Sequence, residues 1–441
     1  MLPLVKQVRF VTFGCKANQY DTQVLREALA RRGWDETDRD ADLVVVNTCT
    51  VTAEAGRKAR QLIRRLGRER EDVRVAVTGC LAESEPDLLR ELPNVEWVLG
   101  NGDAKLPVHF LRELGEELSP EELGIPAGIT EFAGHTRAFL KIQDGCDMAC
   151  AYCIIPSVRG RSRSRDPEEL ASEVERLLAA GHREVVLCGI HIGHWGLDCE
   201  SDLATLLERL VQVEASDSSG RPIDWRLRLS SIEATEVDGR VLEVMAANPR
   251  RIAPHLHMPM QSGDDGVLAR MNRWYDAETY VAACERIRAV LDRPAFTADI
   301  LVGFPGEDEA AFENTLRAAE RAGFTKIHVF PFSARPGTAA AEMHDLPDPH
   351  AVRERRARLS EFAGELGRRF QESLEGALDT VVLEGAVGLS GRYQRVRVDL
   401  DDFDGLPPEV VDVRLERRVR DDGETVLIGR PLASAGLEAA R

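Results

Sequence analysis

The sequence predicts an α/β protein with three parts: an N-terminal doubly wound α/β domain, a central partial (βα)6 barrel and a small C-terminal β-barrel. Short, β-branched apolar runs alternate with helical patterns through most of the 441 residues, which is typical of parallel sheets. Beyond about residue 374 only short strand signals follow. A chain of this length holds about three domains. We predict their limits at 5–115, 132–367 and 372–438.

Three strand–helix units open the chain, and each strand pattern ends in a cysteine. The runs are VRFVTFGC, DLVVVNTC and VRVAVTGC, which end at Cys15, Cys49 and Cys80. Helical patterns follow at 21–32, 53–70 and 84–92. Ligands of a doubly wound sheet bind beyond the carboxyl ends of its strands, so these thiols should converge on one edge. One such cysteine could be an ordinary buried thiol, but three in equivalent positions predict a three-thiolate cluster site.

Six further strand–helix units predict the central barrel. Strand candidates lie at 138–143, 184–190, 225–230, 252–258, 296–302 and 326–332. Helical patterns lie between them, as at 166–180, 202–213, 277–291 and 308–322. Six parallel units favour an open version of the eight-unit barrel, in which the loops after the strands carry the chemistry.

A second cysteine set follows the first of these strands. Cys146, Cys150 and Cys153 form a C-x-x-x-C-x-x-C triplet, a spacing that suits one compact metal site. An iron–sulfur cluster normally takes four thiolates, and three leave one iron open for a reaction. The alternatives are core cysteines or a zinc site, which would need a fourth ligand that the loop does not supply as His. Cys188 and Cys284 lie in apolar patterns and are predicted to be core thiols.

The other barrel strands end in glycine or polar residues. These positions include Gly189, Ser231, Glu233, Gln261 and Gly303. Glycine lets a ligand approach the backbone, while Ser, Glu and Gln can hold hydroxyl and amino groups. Each position alone is an ordinary turn, and their shared location favours a ligand pocket. His255 and His257 alternate on one strand face, where polar barrel filling is the alternative to metal binding.

The overall charge and the local charge of the chain give opposite indications about a nucleic-acid partner. The net charge of −18 argues, taken alone, against a nucleic-acid partner. An arginine-rich helical pattern at 54–70 and the loop RGRSRSR after the triplet nevertheless resemble phosphate-binding patches. The candidate RNA-binding residues are Arg57, Lys58, Arg64, Arg159, Arg161, Arg163 and Arg165. The alternative is a solvated helix face and a polar loop.

Targeting signals are lacking in the N-terminal pattern, and no run is long enough to cross a bilayer. Nine cysteines in so long a chain do not suggest a disulfide scaffold. We therefore expect a cytoplasmic protein.

Strand signals at 379–384, 393–399, 412–416 and 425–429 predict the terminal β-barrel. With 8 basic and 12 acidic residues between 379 and 430, it is expected to make at most auxiliary RNA contacts.

The triplet, with an aromatic residue before its last cysteine, resembles the radical S-adenosylmethionine enzymes. Together with the strand-end cysteines, the partial barrel and a TRAM-like terminal domain, the whole chain resembles their methylthiotransferase family. The stretches GCKANQYDT, NTCTVTAEAGRKAR, HLHMPMQSGDDGVLARMNR and HVFPFSARPGT are most similar to enzymes acting on N6-threonylcarbamoyladenosine in tRNA. Isopentenyladenosine enzymes usually carry Gln-Met after the first Gly-Cys, where this chain has Lys16 and Ala17.

The resemblance implies two 4Fe–4S clusters, one on each cysteine set. The triplet would hold the radical cluster, whose open iron binds S-adenosylmethionine in a pocket lined by the five strand-end residues named above. Cleavage of S-adenosylmethionine would yield a 5′-deoxyadenosyl radical that removes hydrogen from carbon 2 of the adenine, with the protein excluding water. The strand-end cysteines would hold the second cluster, which presents the sulfur. A flavodoxin-type or similar reducing electron donor is implied as well.

The implied substrate is adenosine 37 in a tRNA anticodon stem-loop, where an unpaired base can enter a pocket. No DNA or membrane partner is expected. One alternative is the same chemistry on isopentenyladenosine or on an aspartate of a ribosomal protein. Another is a non-catalytic two-cluster electron carrier or RNA-binding sensor, although carriers normally fill the fourth ligand position.

Overall fold

The structure is a computed structural model, and its architecture confirms the predicted α/β class. It describes residues 6–116, 128–132, 134, 136–217, 219–399, 403, 408–419 and 425–432. Two of the predicted domain limits, 5 and 438, lie outside these residues. A five-stranded sheet is followed by two three-stranded sheets and a closed five-stranded barrel.

The N-terminal sheet is parallel, with strand order β2-β1-β3-β4-β5. Its strands are β1 Lys6–Thr12, β2 Trp34–Glu36, β3 Leu43–Thr48, β4 Arg74–Gly79 and β5 Val95–Leu99. Its helices are α1 Lys16–Ala30, α2 Ala53–Glu69, α3 Cys80–Ser84, α4 Pro86–Arg90 and α5 Pro107–Glu113. Every residue of β3 is buried because apolar clusters cover both sheet faces. The helix predicted at 84–92 is instead interrupted at Glu85, since Pro86 disfavours helical geometry in the residue before it.

Six main central strands follow the predicted order and run parallel: β6 Arg137–Lys141, β9 Glu184–Cys188, β10 Arg226–Leu229, β11 His255–His257, β12 Ala295–Val302 and β13 Lys326–Pro331. Two short strands that were not predicted, β7 Gln143–Asp144 and β8 Arg163–Ser164, lie between β6 and β9 in the chain. Sheets β6-β9-β10 and β11-β12-β13 are joined by parallel bridges between Leu227 and Ile252 and between Ser231 and His257. β7 and β8 pair separately as a short antiparallel ribbon beside the triplet loop. The six main strands therefore form the predicted partial barrel.

Helices of the central part start in a uniform way. They are α6 Ile155–Arg159, α7 Pro167–Ala179, α8 Leu203–Val211, α9 Gly239–Ala247, α10 Asp265–Arg270, α11 Ala277–Val290, α12 Glu309–Ala322 and α13 Pro349–Ser373. From α7 to α13 each begins after an aspartate whose carboxylate accepts backbone N–H bonds of the first turn. Part of the acidic charge is therefore structural. Among the described residues no helix, α13 included, combines the length and apolarity needed to cross a membrane.

The C-terminal barrel closes in the order β14-β15-β16-β18-β17. Its strands are β14 Leu378–Glu384, β15 Val387–Ser390, β16 Arg395–Val398, β17 Val410–Val419 and β18 Thr425–Pro431. It docks at the amino ends of β9 and β10, where buried Glu184 holds Arg226 and Arg228. These guanidiniums donate to four backbone carbonyls of the C-terminal barrel, those of Thr380, Leu389, Ser390 and Gly391. The carboxyl ends of the central strands are left facing the N-terminal domain.

Candidate active site

The three N-terminal cysteines, Cys15, Cys49 and Cys80, converge at the carboxyl edge of their sheet. Two glycines make the approach possible. At Gly14, with φ +102°, an added Cβ would lie 2.7 Å from the Cβ atom of Cys49 and 2.9 Å from its Sγ atom. At Gly79, with φ +97°, an added Cβ would lie 2.3 Å from the carbonyl oxygen of Thr48. Any side chain at either glycine would force these loops apart.

The other two N-terminal thiols act on the protonation of Cys49. Burial, with smaller contributions from negative charge on Cys80 and Cys15, raises the pKa of Cys49 to about 11. The backbone N–H of Val51 donates to Cys49 Sγ at 3.4 Å, which favours the thiolate. Metal ions bind thiolates, so such buried thiols must release protons when they take up iron. Three converging thiols with an N–H···S bond fit the open-position cluster that the sequence predicts.

The triplet lies in the loop between β7 and α6. Gly145 begins the turn with φ +75°, and an added Cβ would lie 1.9 Å from the carbonyl oxygen of Arg161. Only glycine fits there, and the turn lets Cys146 N–H donate to the Gly160 carbonyl at 3.0 Å. Within the loop, Met148 N–H donates to Cys146 Sγ at 3.4 Å.

The other two thiols of the triplet are partly buried. Burial raises the pKa of Cys153 to about 12, and it also raises the pKa of Cys150. Charge on Cys150 and Cys146 contributes to the raised pKa of Cys153. The loop thus presents a second donor set that fits a cluster with one open position.

Two side chains that the sequence patterns did not single out lie against the triplet. Arg273 donates to Cys150 Sγ at 3.4 Å and forms an ion pair with buried Glu233. His191 Nδ1 lies 3.6 Å from Cys146 Sγ, while its Nε2 lies 2.6 Å from Glu236. Arg273 follows α10 in the quoted stretch ending LARMNR, and only tertiary packing returns it to the triplet.

Arg273 and Glu233 place a positive and a negative charge, both largely buried, beside the triplet. Burial raises the pKa of Glu233, and the guanidinium of Arg273 opposes that rise. A carboxylate can hold an ammonium group, and a guanidinium can hold a carboxylate in a charge-assisted pair. The arrangement therefore suits the α-amino and α-carboxylate groups of an amino-acid cofactor.

The five predicted pocket residues, Gly189, Ser231, Glu233, Gln261 and Gly303, all follow the carboxyl ends of neighbouring strands. Glu233 forms an ion pair with Arg273, which in turn donates to Cys150 Sγ. Gly303 has φ +82°, and an added Cβ there would lie 2.6 Å from the Val352 side chain of α13. The absence of a side chain at Gly303 therefore leaves room for that helix. Gln261 has φ +64° and pairs with Ile300. The ligand-binding role of these residues stays a prediction.

Arg159 and Arg165 lie inside the protein. The Arg159 side chain is 1% exposed and donates to Asp144 at 2.7 Å and to Asp21 at 3.2 Å. Arg165 pairs with Glu173 at 2.7 Å. Arg159 is thus held in an ion pair with α1, while Arg165 is held by an ion pair within the central barrel and by a hydrogen bond to the Tyr20 hydroxyl of α1. Both arginines are engaged in internal contacts.

Arg159 also places the two cysteine sets relative to each other. Its pKa is raised by Asp144 and Asp21 against the effect of burial, and negative charge on Cys80 and Cys15 adds to the rise. Arg159 ends α6, the short helix that follows the triplet, and α6 packs against α3, the helix that begins at Cys80. The two cysteine sets are therefore neighbours across this helix contact.

Other predicted RNA-binding residues remain at the surface. Arg161 is 91% exposed and pairs with Asp147 at 3.0 Å, and Arg163 is also exposed. On α2, Arg57 is paired with Glu54 at 2.7 Å. Lys58 and Arg64 line a groove of about 730 Å³ that begins beside Phe13, two residues before Cys15. The other basic residues of this groove are Arg9, Arg65 and Arg68.

His255 and His257 are joined by a shared hydroxyl group. His255 Nε2 lies 3.0 Å and His257 Nδ1 lies 2.9 Å from Thr297 Oγ1. His255 also stacks on Tyr393 of the C-terminal barrel at 4.3 Å between ring centroids. Cys188 and Cys284 are buried, as predicted for core thiols.

Comparison with known proteins decides the family. Residues 7–100 match the model of an uncharacterized protein family, UPF0004, and residues 140–319 match that of the radical SAM superfamily. The threonylcarbamoyladenosine tRNA methylthiotransferase of Bacillus subtilis is 37% identical over 88% of this chain and 89% of the relative. The chain belongs to the radical SAM methylthiotransferase family. The Thermotoga maritima enzyme of the same name is 35% identical over 86% of this chain and 87% of that one.

Two more distant likenesses complete the comparison. The tRNA-2-methylthio-N(6)-dimethylallyladenosine synthase of Carboxydothermus hydrogenoformans, from the same family, is 33% identical over 86% of this chain and 88% of the relative. A radical S-adenosylmethionine methyltransferase from Kitasatospora setae, solved with cobalamin and a [4Fe-4S] cluster, superposes with a TM-score of 0.53. It is 16% identical and covers 87% of this chain and 82% of that chain. At this identity the likeness concerns the fold alone.

Proposed function

We propose that this protein methylthiolates carbon 2 of N6-threonylcarbamoyladenosine at position 37 of tRNA. The observation that carries the proposal is a pair of three-cysteine sets on neighbouring elements: α3, which begins at Cys80, packs against α6, which follows the triplet. The relatives named for threonylcarbamoyladenosine are 37% and 35% identical over most of the chain, which supports this substrate over isopentenyladenosine. A carrier or sensor function gains no support from two sites with open positions.

The cofactors are two 4Fe–4S clusters and S-adenosylmethionine. Cys146, Cys150 and Cys153 would hold the radical cluster, and the three N-terminal cysteines would hold the second. Once bound, these groups supply the radical chemistry and the sulfur that amino-acid side chains cannot supply. The protein binds and orients them: Arg273 and Glu233 offer complementary charges beside the triplet, and the enclosed edge limits access of water. A reducing electron donor and a cytoplasmic location belong to the same proposal.

The direct test is product analysis. Reconstituted protein with S-adenosylmethionine, a reductant and a stem-loop carrying threonylcarbamoyladenosine 37 should yield the 2-methylthio nucleoside, detected by mass spectrometry. The same stem-loop carrying isopentenyladenosine is the matched control and should yield at most a trace. Modification of the isopentenyl substrate alone would overturn the substrate assignment. If protein loaded with both clusters forms no 5′-deoxyadenosine, the result would favour the alternative of a non-catalytic electron carrier or RNA-binding sensor.

Two surfaces are suited to hold the stem-loop. One is the basic groove along α2, which Phe13, two residues before Cys15, also lines. The other is a groove of about 1080 Å³ between the central and C-terminal barrels. Its basic lining residues are Arg137, Lys326, Arg395, Arg397, Arg418 and Arg430. Arg395 and Arg397 are exposed and have no ion-pair partner among the described residues. The acidic terminal domain thus gathers basic residues on the face that meets the central barrel.

Salt dependence of tRNA binding separates these surfaces from the arginine loop. Loss of one phosphate contact should weaken binding and reduce the slope of log affinity against log salt by about one. We expect this for Arg64→Ala and for Arg395→Ala, because both side chains are exposed in basic grooves. Arg161→Ala and Arg163→Ala test the loop beside the triplet in the same way. Arg321→Ala is the matched control, since Arg321 is exposed on α12, pairs with Glu278 and lines neither groove. If all four variants match the control, RNA is held elsewhere.

A further inference from the structure

The segment that links α10 to α11 lies against the centre of the triplet loop. The Ala151 N–H donates to the Met271 carbonyl at 2.9 Å, and Asn272 Nδ2 donates to the Ala149 carbonyl at 2.7 Å. Asn272 adopts φ +56°, a left-handed conformation that Asn tolerates better than most residues. These two bonds hold the residues on both sides of Cys150.

Arg273, the next residue of this segment, reaches the cysteine itself. Its guanidinium Nη1 donates to Cys150 Sγ at 3.4 Å. Two other donors to cysteine sulfur, the backbone N–H groups of Val51 and Met148, are neutral. The guanidinium instead carries a positive charge that it does not lose in proteins, and charge-assisted hydrogen bonds are the stronger ones. Arg273 therefore places a permanent positive charge on one of the three predicted cluster ligands.

The guanidinium of Arg273 is held in place from several sides. Its side chain is 3% exposed and forms an ion pair with Glu233. Nε and Nη2 donate to the Tyr275 hydroxyl at 3.2 and 2.9 Å, and this hydroxyl donates to the Pro259 carbonyl at 3.0 Å. The guanidinium carbon lies 4.2 Å from the ring centroid of Trp274. Because every nitrogen of the guanidinium is engaged, packing fixes the N–H···S bond.

A charged donor at a ligand sulfur acts unequally on the two oxidation states of an iron–sulfur cluster. Reduction adds one electron, so the negative charge on the cluster and its thiolates rises by one while no bond or proton moves. A cation in contact with the sulfur stabilises the more negative, reduced state more strongly. Net charge and hydrogen bonds to the sulfurs are among the factors that set cluster potentials. Arg273 is buried, so water screens its charge little.

We propose that Arg273 raises the reduction potential of the radical cluster through its N–H···S bond to Cys150, and that Glu233 opposes this effect. The electron comes from the reducing donor of the proposed function. Arg273 acts here through a cluster ligand, as a positioning residue that also carries charge, apart from any contact with S-adenosylmethionine. This role rests on the radical cluster of the proposed function and is independent of which RNA is modified. The alternative is that Arg273 only holds the triplet loop in shape.

The two members of the ion pair separate these roles. Arg273→Met should lower the ratio of reduced to oxidised cluster at a fixed potential about tenfold, which is a midpoint about 59 mV lower for one electron. Glu233→Gln should raise the midpoint, because the guanidinium is then no longer opposed by a neighbouring carboxylate. A role in shape alone predicts shifts in the same direction, since either substitution breaks the same pair.

The measurement is a redox titration followed by electron paramagnetic resonance. The parent protein is the full chain with Cys15, Cys49 and Cys80 replaced by Ala, which leaves only the radical cluster. Iron analysis should give about four irons for each variant. Neither S-adenosylmethionine nor RNA is added. A contact between Arg273 and the cofactor, or a wrong substrate assignment, therefore cannot affect the result.

Two further variants control for charge and shape. Arg161→Met is the matched control, because Arg161 is 91% exposed and pairs with Asp147 of the triplet loop, and its midpoint should equal that of the parent. Arg273→Lys keeps the charge but not the planar fork of donors. Its midpoint should lie between those of the parent and Arg273→Met.

Three results would overturn the proposal. One is a midpoint of Arg273→Met equal to that of the parent, and another is a lower midpoint in Glu233→Gln. The third is a shift in Arg161→Met as large as that in Arg273→Met, since any nearby cation would then suffice. If Arg273→Met binds no iron, Arg273→Lys and Glu233→Gln carry the comparison, and unchanged midpoints in both would overturn it.

Discussion

Replacing Cys146, Cys150 and Cys153 together by Ala should halve the iron that the protein binds. Reconstituted wild type is expected to hold about eight irons and the variant about four, because each cysteine set supplies its own 4Fe–4S cluster. The three thiols lie in one loop and share no ligand with the N-terminal set. Iron analysis under anaerobic conditions measures the effect. A variant that loses all its iron would contradict independent sites.

The complementary variant, with Cys15, Cys49 and Cys80 replaced by Ala, is the matched control. It should also bind about four irons, and it should still form 5′-deoxyadenosine from S-adenosylmethionine while inserting no sulfur. The triplet variant should form no 5′-deoxyadenosine at all. Complete loss of 5′-deoxyadenosine from a folded N-terminal variant that retains about four irons would contradict this division of function.

Arg159→Met should destabilise the protein by about 3–5 kcal/mol. The guanidinium is buried and paired with Asp144 at 2.7 Å and with Asp21 at 3.2 Å. Its removal leaves two buried carboxylates with less compensation than before, although Lys141 and Lys105 still pair with Asp21. Urea unfolding of the iron-free protein, followed by tryptophan fluorescence, measures the effect as a lower midpoint.

Two further variants make this prediction specific. Arg161→Met, two residues away and 91% exposed, should change stability by no more than about 0.5 kcal/mol. Adding Asp144→Asn to Arg159→Met should recover part of the loss, because one buried charge is then removed along with its partner. Equal midpoints for Arg159→Met and Arg161→Met would show that the buried network does not hold the N-terminal domain to the barrel.

Helix capping and buried ion pairs explain why the net charge of the protein differs from the charge of its basic grooves. Aspartates cap seven consecutive helices, and Asp21, Asp144 and Glu184 neutralise buried cations. These acids do not face the grooves that carry Lys58, Arg64 and Arg395. The net charge of −18 therefore does not describe these grooves, where basic lining residues outnumber acidic ones even though Glu384 and Asp399 line the second groove.

The sequence determined the α/β architecture, because strand and helix periodicities are local properties that survive in the tertiary structure. The three strand-end cysteines could be placed on one edge for the same reason, since parallel strands share their carboxyl ends. The partial barrel follows the predicted order, and the closed terminal barrel contains the four predicted strands and one more, β15 Val387–Ser390, which was not predicted. The helix at 349–373 was not predicted because its apolar stripe is narrow, with Leu359, Ala363 and Leu366 on an otherwise charged surface.

Tertiary structure alone decided which charged residues are internal. Arg159 and Arg161 are two residues apart in one arginine-rich loop, yet one is buried between two carboxylates and the other faces solvent. Arg273 likewise reaches Cys150 of the triplet from a position far along the chain. Sequence spacing carries no information on such long-range pairing, because the desolvation and Coulomb energies that select it depend on neighbours brought together only by folding.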